Sequence, residues 1–382
     1  MQIVADENIP CLEEFFADWG EIRRYPGRSI GPREVRDADL LLVRSVTPVN
    51  RRLLEGSAVR YVGSCTIGRD HVNEQELAAM GVYFVAAPGC NAQAVVEYVI
   101  ASWCFLEKIH GLQWRNRRLG IVGCGHVGGL LAQMALSLGM DVCVCDPWLT
   151  QAAAPLVSLD ELLATADIVS LHVPMVREGA WPTLHLLGYP QLQLLKKGAW
   201  LINTSRGEVV ELAGLQRYLQ QDNGLKLILD VWPGEPVISM SLLSRTVLGT
   251  PHVAGYSYEG KVRGTAMVCQ ALAAPLGQSA ALATAFLHPT GSQKKMRIPL
   301  GNGQSEMDFA RAMLEIVPLL RDDAALRALG EGDAQGFDRL RAGYPQRFEC
   351  AAYVVPERAG RSLQELCLLG ATVAETSQEK SR

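Results

Sequence analysis

Hydrophobic and polar positions alternate along the first 90 residues in a way that predicts short strands separated by amphipathic helices. The predicted strands are Leu40–Val43, Val59–Val62 and Val82–Val85. Polar or glycine-containing stretches lie between them, which favours a parallel sheet covered by helices. Pro88-Gly89 ends the pattern, and Asn91 is the predicted N-cap of a helix over Ala94–Ile109. That helix is apolar almost all round, so we expect it between packed layers.

A second α/β pattern follows this helix. Its predicted strands are Gly120–Val122, Val142–Cys145, Ile168–Val173, Ala199–Asn203, Leu225–Leu229 and Val247–Leu248. Helical patterns separate most of them, and Ser158 with Glu161 has the spacing of a capping box that opens one such helix.

The last third of the chain changes character. A helix is expected from Glu259 to about Leu276, followed by an Ala/Gly/Ser-rich linker near 277–292. Residues 293–382 then form a smaller region with its own amphipathic segment, Phe309–Leu320. Acidic and basic residues are balanced there, which indicates a folded appendage and not a nucleic-acid-binding tail.

Composition and charge exclude several classes of protein. Apolar residues make up 48% of the 382 positions and charged residues 20%, which allows a sizeable core and excludes a wholly disordered chain. Lys and Arg number 36 against 40 Asp and Glu, so the net charge is −4. The chain therefore lacks the positive charge on which most nucleic-acid binding depends, and we expect no nucleic-acid partner.

Cysteine usage and the N-terminal residues predict a cytoplasmic protein. The ten cysteines lack the spacing of a disulfide framework, and no ligand cluster indicates a metal site. The first residues lack the layout of a signal peptide. The window Leu119–Met140 has no formal charge and is long enough to imitate a membrane span. Its glycines predict a strand, a tight turn and a helix instead, so we expect no membrane association.

The segment Gly123–Gly128 has the form GxGxxG, follows a predicted strand and opens a predicted helix. Two glycines of this motif let the backbone turn and approach a pyrophosphate, and the third lets the helix pack on the strand. The helix N-terminus presents N–H groups to the phosphates. Asp146, at the end of the next strand, should accept from ribose hydroxyls and repel a 2′-phosphate, which favours NAD over NADP. A purely structural glycine turn is the alternative.

Three polar residues each follow a predicted strand: Arg206, Glu235 and His252. The carboxyl ends of parallel strands share one edge of a sheet, so we expect these side chains to meet where the glycine turn would hold a cofactor. Arg can hold a substrate carboxylate through two hydrogen bonds, and His can exchange a hydroxyl proton near neutral pH. Glu can orient the imidazole and stabilise its cation.

The order of these motifs resembles that of the D-isomer-specific 2-hydroxyacid dehydrogenases over residues 1–285. The motifs that carry the resemblance are Gly123–Gly128, Asp146, Asn203–Gly207, Asp230–Pro236 and Pro251-His252. It implies an α/β fold of two doubly wound parallel-sheet domains, Rossmann-like or flavodoxin-like, and a small C-terminal α+β dimerisation domain. The implied ranges are 94–256 for NAD binding, 1–93 with about 257–285 for substrate binding, and 286–382 for formation of a homodimer.

Other segments resemble the branch of this family that acts on 4-phospho-D-erythronate. They are Arg44–Thr47, Gly63–His71, His252–Ser257, Glu259–Thr265 and Tyr344-Pro345-x-Arg347 in the tail. The resemblance implies NAD-linked oxidation of this small phosphorylated 2-hydroxy acid to its 2-oxo acid, a step towards pyridoxal phosphate in bacteria.

Position by position, the resemblance implies three kinds of site residue. The implied catalytic residues are Arg206, Glu235 and His252, with His252 as the acid/base. The implied substrate contacts are Ser45, Thr66 and Tyr256. The implied NAD contacts are Gly123, Gly125, His126, Val127, Gly128, Asp146, Met175, Thr204, Ser205, Asp230 and Gly255. Met175 stands where relatives often have a small hydroxyl or apolar residue, so its contact is expected from the backbone.

Two other functions stay open at this point. The chemistry of the motifs specifies the 2-hydroxy acid better than the far end of the substrate, so a dehydrogenase of glycerate or 3-phosphoglycerate is one alternative. An NAD-sensing module of the corepressor kind could keep the same motifs while catalysing little. A formate dehydrogenase is disfavoured, because such relatives pair Gln and not Glu with the histidine.

Overall fold

The computed structural model of this chain describes residues 1–288, 295–298, 308–356 and 361–374. The chain divides into two compact units, each built from two stretches of sequence. Unit 1 is Met1–Asn91 with Ser257–Gln293, and unit 2 is Ala92–Tyr256 with Lys294–Arg382. The three domain ranges expected from the sequence stay a prediction, and parts of the range 286–382 lie outside the described residues.

Strands and helices alternate through most of the described chain. The strands are β1 Gln2–Asp6, β2 Glu21–Tyr25, β3 Leu40–Val43, β4 Tyr61–Ser64, β5 Tyr83–Ala86, β6 Arg118–Val122, β7 Asp141–Cys145, β8 Ile168–Leu171, β9 Trp200–Asn203, β10 Lys226–Leu229, β11 Leu248–Gly249, β12 Met296–Arg297, β13 Tyr353–Val355 and β14 Thr372–Val373. The helices are α1 Leu12–Phe16, α2 Arg51–Leu54, α3 Glu74–Ala79, α4 Ala92–His110, α5 His126–Ser137, α6 Leu159–Thr165, α7 Tyr189–Leu192, α8 Leu212–Leu219, α9 Met240–Leu243, α10 Tyr258–Leu276, α11 Ala281–Leu287, α12 Phe309–Ile316, α13 Leu319–Arg327, α14 Ala334–Ala342 and α15 Arg361–Gln364.

Unit 1 contains a parallel sheet with the strand order β2-β1-β3-β4-β5. This is the order of flavodoxin-like doubly wound folds. The central strand β3 is buried along its whole length, as expected of a strand with both faces covered. The predicted strand Val59–Val62 is shifted towards the C-terminus, because β4 pairs from Tyr61 opposite Leu40.

Two helices of unit 1 come from the second stretch of sequence. The helix expected from Glu259 to Leu276 is present as α10 and ends at Gly277, whose φ of +63° is left-handed. The linker predicted near 277–292 is wrong over α11, which packs against α10. Alanine is the best helix former, and the apolar residues Ala283 and Phe286 pack in the core of unit 1. Residues 289–292 lie outside the described part of the chain.

Unit 2 contains a parallel sheet with the order β7-β6-β8-β9-β10-β11. The chain order reverses between β6 and β8, which makes a topological switch point at the carboxyl ends of these neighbouring strands. Both sheets are thus doubly wound, and the predicted fold class is confirmed. The predicted helix after Asn91 is also confirmed: α4 is almost wholly buried and packs against α5 and α12.

The C-terminal stretch of unit 2 adds helices and a small parallel sheet with the order β12-β13-β14. The predicted segment Phe309–Leu320 is two helices, because Pro318 lies between the end of α12 and the start of α13. In the part of the chain that the structure describes, every helix is too short or too polar to cross a bilayer.

Candidate active site

The glycine turn joins β6 to α5 at the switch point of unit 2. Gly123 has a φ of +86°, which glycine adopts without steric cost. A Cβ on Gly128 would lie 1.9 Å from the carbonyl oxygen of Gly123, so only glycine lets α5 pack this close to the strand end. A Cβ on Gly125 would meet no atom within 4 Å, so the backbone there is open to a ligand.

Asp146 lies at the end of β7 and supports the same turn. Its Oδ2 accepts a hydrogen bond from the backbone N–H of Cys124 at 2.9 Å, and its Oδ1 accepts one from Trp148 at 3.0 Å. Helix α5 begins at His126 with no side chain capping its N-terminus. His126 is exposed and Val127 is half-buried. The open N–H groups of a helix N-terminus favour a bound phosphate.

The loop after β9 is held in shape by Asn203. Its Oδ1 accepts hydrogen bonds from the backbone and the hydroxyl of Ser205, at 3.0 and 2.8 Å. Its Nδ2 donates to the carbonyl of Arg206 at 2.8 Å. The hydroxyl of Thr204 is buried, and no described residue forms a hydrogen bond with it. A buried polar atom is normally satisfied, so this hydroxyl has capacity for a bound ligand.

These features fit a dinucleotide. Open backbone at Gly125 and an uncapped helix follow β6, and the Thr204 hydroxyl follows β9 at the same edge of the sheet. Asp146, after β7, supplies an acceptor for ribose. Met175 follows β8 and is half-buried against the core of unit 2. Its side chain is therefore committed to packing, which leaves the backbone contact expected from the sequence as a prediction.

Glu235 and His252 form a close polar pair at the carboxyl ends of β10 and β11. Nδ1 of His252 lies 2.7 Å from Oε2 of Glu235, and Oε1 of Glu235 accepts the backbone N–H of Trp232 at 2.8 Å. Burial opposes ionisation of Glu235, but His252, Arg341 and the Trp232 N–H together lower its pKa below the ordinary value. An ionised Glu235 requires a proton on Nδ1, which leaves Nε2 of His252 with its lone pair.

Asp230 fixes the loop that carries His252. Its Oδ1 accepts from the hydroxyl of Thr250 at 2.6 Å and from the N–H of Val253 at 2.8 Å, and its Oδ2 accepts from the N–H of Ala254 at 3.0 Å. His252 has a φ of +57°, which is uncommon outside glycine. Such a conformation persists where the surroundings hold it on several sides, as Asp230 does here.

The carboxylate of Asp230 is only 1% exposed, and burial raises its pKa. Its hydrogen bonds within the loop show a structural use that the sequence analysis did not recognise. The NAD contact expected of Asp230, and that expected of the half-buried Gly255, stay predictions.

Tyr256 is held by three residues of the C-terminal stretch. The ring of Tyr344 packs edge-on against its ring, with centroids 5.6 Å apart. The guanidinium carbon of Arg341 lies 5.9 Å from the same ring centre. Nε of Arg347 donates to the backbone carbonyl of Tyr256 at 2.9 Å. The tail therefore belongs to the immediate surroundings of a predicted substrate contact.

Arg347 is also part of a buried ionic cluster. Its Nη2 donates to the carbonyls of Ala94 and Ala254, and its Nη1 lies 3.6 Å from Oε2 of Glu97. Oε1 of Glu97 accepts the backbone N–H of Cys350 at 2.8 Å. Burial raises the pKa of Glu97 to about 7. This cluster attaches the tail to α4 and to the loop after His252.

The two remaining predicted substrate contacts lie in unit 1. Ser45 follows β3 and is exposed, whereas Thr66 follows β4 and is half-buried. The Thr66 hydroxyl lies 3.0 Å from the Ser64 hydroxyl, which in turn lies 3.1 Å from Nε2 of His71. Since β3 and β4 are parallel neighbours, Ser45 and Thr66 occupy the same edge of that sheet. Their substrate role stays a prediction.

Sequence reasoning missed Arg341 and Glu97 as parts of this site. Arg341 stands two residues after Arg339 and has the appearance of a solvated basic position. Glu97 is the acid within an otherwise apolar helical segment, which is the one local signal that could have revealed a buried charge. Arg347 was noted only as part of a tail motif.

Residues 91–254 match the family model "D-isomer specific 2-hydroxyacid dehydrogenase, NAD binding domain". A protein named erythronate-4-phosphate dehydrogenase from Pseudomonas syringae pv. tomato is 47% identical over 91% of this chain and 93% of its own length. One of the same name from Pseudomonas putida is 44% identical over 98% of this chain and 100% of its own.

Solved structures share the fold at lower identity. The NAD-bound 3-phosphoglycerate dehydrogenase of Entamoeba histolytica is 23% identical with a TM-score of 0.63, over 76% of this chain and 96% of that one. The Aquifex aeolicus D-lactate dehydrogenase, solved with NAD and lactic acid, is 23% identical with a TM-score of 0.62, over 72% and 96%.

Fold, glycine turn and family model define the class: an NAD-dependent dehydrogenase of small 2-hydroxy acids. Within that class, the identity to the Pseudomonas relatives over almost the full length shows that the chain belongs to the erythronate-4-phosphate dehydrogenase family.

Proposed function

We propose that this protein oxidises the 2-hydroxyl group of 4-phospho-D-erythronate with NAD, as a cytoplasmic step towards pyridoxal phosphate. The observation that carries the proposal is the 2.7 Å pair of Glu235 and His252, which follows β10 and β11 of the same parallel sheet that carries the glycine turn. Near-complete coverage of relatives that carry the enzyme's name supports the choice of substrate.

Three residues of unit 2 have different proposed roles in the reaction. Nε2 of His252 takes the proton of the 2-hydroxyl, and Glu235 stabilises the imidazolium that results. Arg206 pairs with the substrate carboxylate and polarises the carbonyl that develops at C2. When bound along the glycine turn, NAD supplies the acceptor for the hydride that leaves C2. We assign Ser45, Thr66 and Tyr256 to the rest of the substrate.

Turnover of a substrate panel tests the proposal. Formation of NADH is followed by absorbance with 4-phospho-D-erythronate, D-erythronate, D-glycerate and 3-phosphoglycerate. We expect 4-phospho-D-erythronate to have the highest kcat/KM. A preference for either glycerate compound would assign the protein to another branch of the class, and turnover of none would favour the NAD-sensing module.

Two variants test the assigned roles. His252→Asn should reduce kcat by at least about 100-fold with NADH affinity unchanged, because the proton acceptor is lost. Arg206→Lys should reduce both binding and turnover, since one ammonium cannot reproduce the planar fork of a guanidinium. A His252→Asn protein that keeps most of its kcat and its melting temperature would remove His252 from the acid/base role.

We also propose that the protein is a homodimer formed through its C-terminal region, as the sequence resemblance implies. Light scattering coupled to size-exclusion chromatography measures the mass in solution. We expect the mass of two chains, and a monomer at assay concentration would contradict the proposal.

A further inference from the structure

Arg341 is a cation of the C-terminal stretch that lies near Tyr256 and interacts electrostatically with the carboxylate of Glu235. Arg341 is the penultimate residue of α14, and its guanidinium lies against the side chain of Tyr256. Its guanidinium carbon is 5.9 Å from the centre of the Tyr256 ring. Its positive charge interacts with the carboxylates of Glu235 and Asp230. Arg341 thus faces the site from an element outside the sheet.

Arg341 has hydrogen-bonding capacity that the protein does not use. Its Nε is buried and has no hydrogen-bond partner among the residues that the structure describes. No ion pair within 4 Å that joins two described residues includes Arg341. Arg339 on the same helix lies 3.6 Å from Asp333, and Arg347 lies 3.6 Å from Glu97. Burying a guanidinium with spare donors is costly unless an anion binds to it.

The proposed substrate carries two anionic groups at opposite ends. Arg206 is assigned to the carboxylate, which leaves the phosphate to be neutralised. A guanidinium suits phosphate because its planar fork matches two oxygens at once, and a neighbouring hydroxyl can donate to a third. Arg341 and Tyr256 lie close enough to supply such donors together, with the guanidinium carbon 5.9 Å from the ring centre.

We propose that Arg341 binds the phosphate of the substrate and so selects phosphorylated 2-hydroxy acids over unphosphorylated ones. The inference rests on the proposed function and names a residue for its specificity. A competing role is that Arg341 acts only through Glu235, as a positioning charge for the acid/base pair. The two roles predict different changes in kcat/KM for a substrate that lacks the phosphate.

Arg341→Gln distinguishes the two roles when it is assayed with 4-phospho-D-erythronate and with D-erythronate. We expect kcat/KM to fall at least about tenfold more for the phosphorylated substrate than for the other, because the loss of charge near Glu235 affects both substrates and the charge-assisted bond is lost only where a phosphate was bound. An equal fall for both substrates would assign Arg341 to positioning and overturn the proposal. Arg339→Gln, an exposed position on the same helix, is the matched control and should stay within about twofold for both.

A binding measurement keeps the test independent of turnover. Inorganic phosphate is titrated calorimetrically into the NADH-loaded protein, and Arg341→Gln should weaken its binding by at least about tenfold while Arg339→Gln leaves it unchanged. Equal affinity of wild type and Arg341→Gln, or no phosphate binding by wild type, would overturn the proposal. Failure of turnover with phosphate binding intact would instead reject the proposed function. Melting temperature and NADH affinity show whether each variant is folded.

Discussion

Replacing Glu235 by Gln should slow the chemical step while leaving cofactor binding unchanged. The amide has nearly the same shape, so its oxygen can keep the hydrogen bond from the Trp232 N–H. Its NH2 group would then face Nδ1 of His252, where the carboxylate oxygen lies at 2.7 Å in the wild type. Two donors cannot face each other, so the imidazole proton is driven to Nε2 and the proton acceptor is lost.

The size of the effect follows from the geometry of the pair. Unit charges about 4 Å apart interact by about 4 kcal/mol at an effective dielectric constant of about 20. Stabilisation of the imidazolium by that amount corresponds to roughly a thousandfold in rate. His252 and Glu235 are 31% and 20% exposed at their side chains, so solvent screens part of this interaction. We therefore expect kcat to fall by about 100- to 1,000-fold.

Initial rates of NADH formation measure kcat, and a fluorescence titration measures NADH affinity. Glu208→Gln is the matched control, because this half-buried acid accepts a 3.4 Å contact from the Gly234 N–H in the same region and has no assigned role. It should stay within about threefold of wild type. The reasoning fails if Glu235→Gln keeps more than about a third of wild-type kcat with an unchanged melting temperature.

Three further predictions concern the cofactor turn and the buried cluster. Asp146→Asn should lower the preference for NAD over NADP by about tenfold, measured as the ratio of kcat/KM values, because repulsion of a 2′-phosphate is removed. Gly128→Ala should lower the melting temperature through its 1.9 Å clash with Gly123, whereas Gly125→Ala should keep it and weaken NADH binding about tenfold. Glu97 has a folded-state pKa of about 7 against an ordinary 4.5, so the folded protein keeps a proton there that the unfolded chain releases. Stability should therefore fall by up to about 3 kcal/mol as pH rises through this window, and Glu97→Gln should flatten the change in urea unfolding. A parallel pH dependence of the two proteins would contradict the assignment.

The buried strands could be predicted from the sequence, but the edge of the first sheet could not. β3 is four consecutive apolar residues, and its predicted bounds match the structure. β2 has the sequence Glu-Ile-Arg-Arg-Tyr and lies at the edge of the sheet, where most of its side chains stay partly exposed. Its pattern is too polar to indicate a strand, because the pairing with β1 comes from tertiary context.

Part of the candidate site could likewise be predicted from the sequence, and part of it could not. The pairing of Glu235 with His252 could be expected, because residues after parallel strands meet at one edge and both motifs follow such strands. The approach of Arg341 could not, because it depends on how α14 packs after a long stretch of intervening chain. The period of hydrophobic residues predicts which face of a helix is buried, but it does not predict which other element packs against that face.

Two buried residues hold the loop that carries His252, and one of them comes from the C-terminal stretch. Asp230 binds the backbone of Val253 and Ala254 from the sheet. Arg347 binds the carbonyl oxygens of Ala254 and Tyr256 from the C-terminal stretch. Each anchor is buried, so removing one leaves unsatisfied polar groups that oppose the left-handed conformation of His252. A chain without the tail would keep all the residues of the dehydrogenase motifs and lose the second restraint on the loop of His252, the proposed acid/base residue, whatever the oligomeric state.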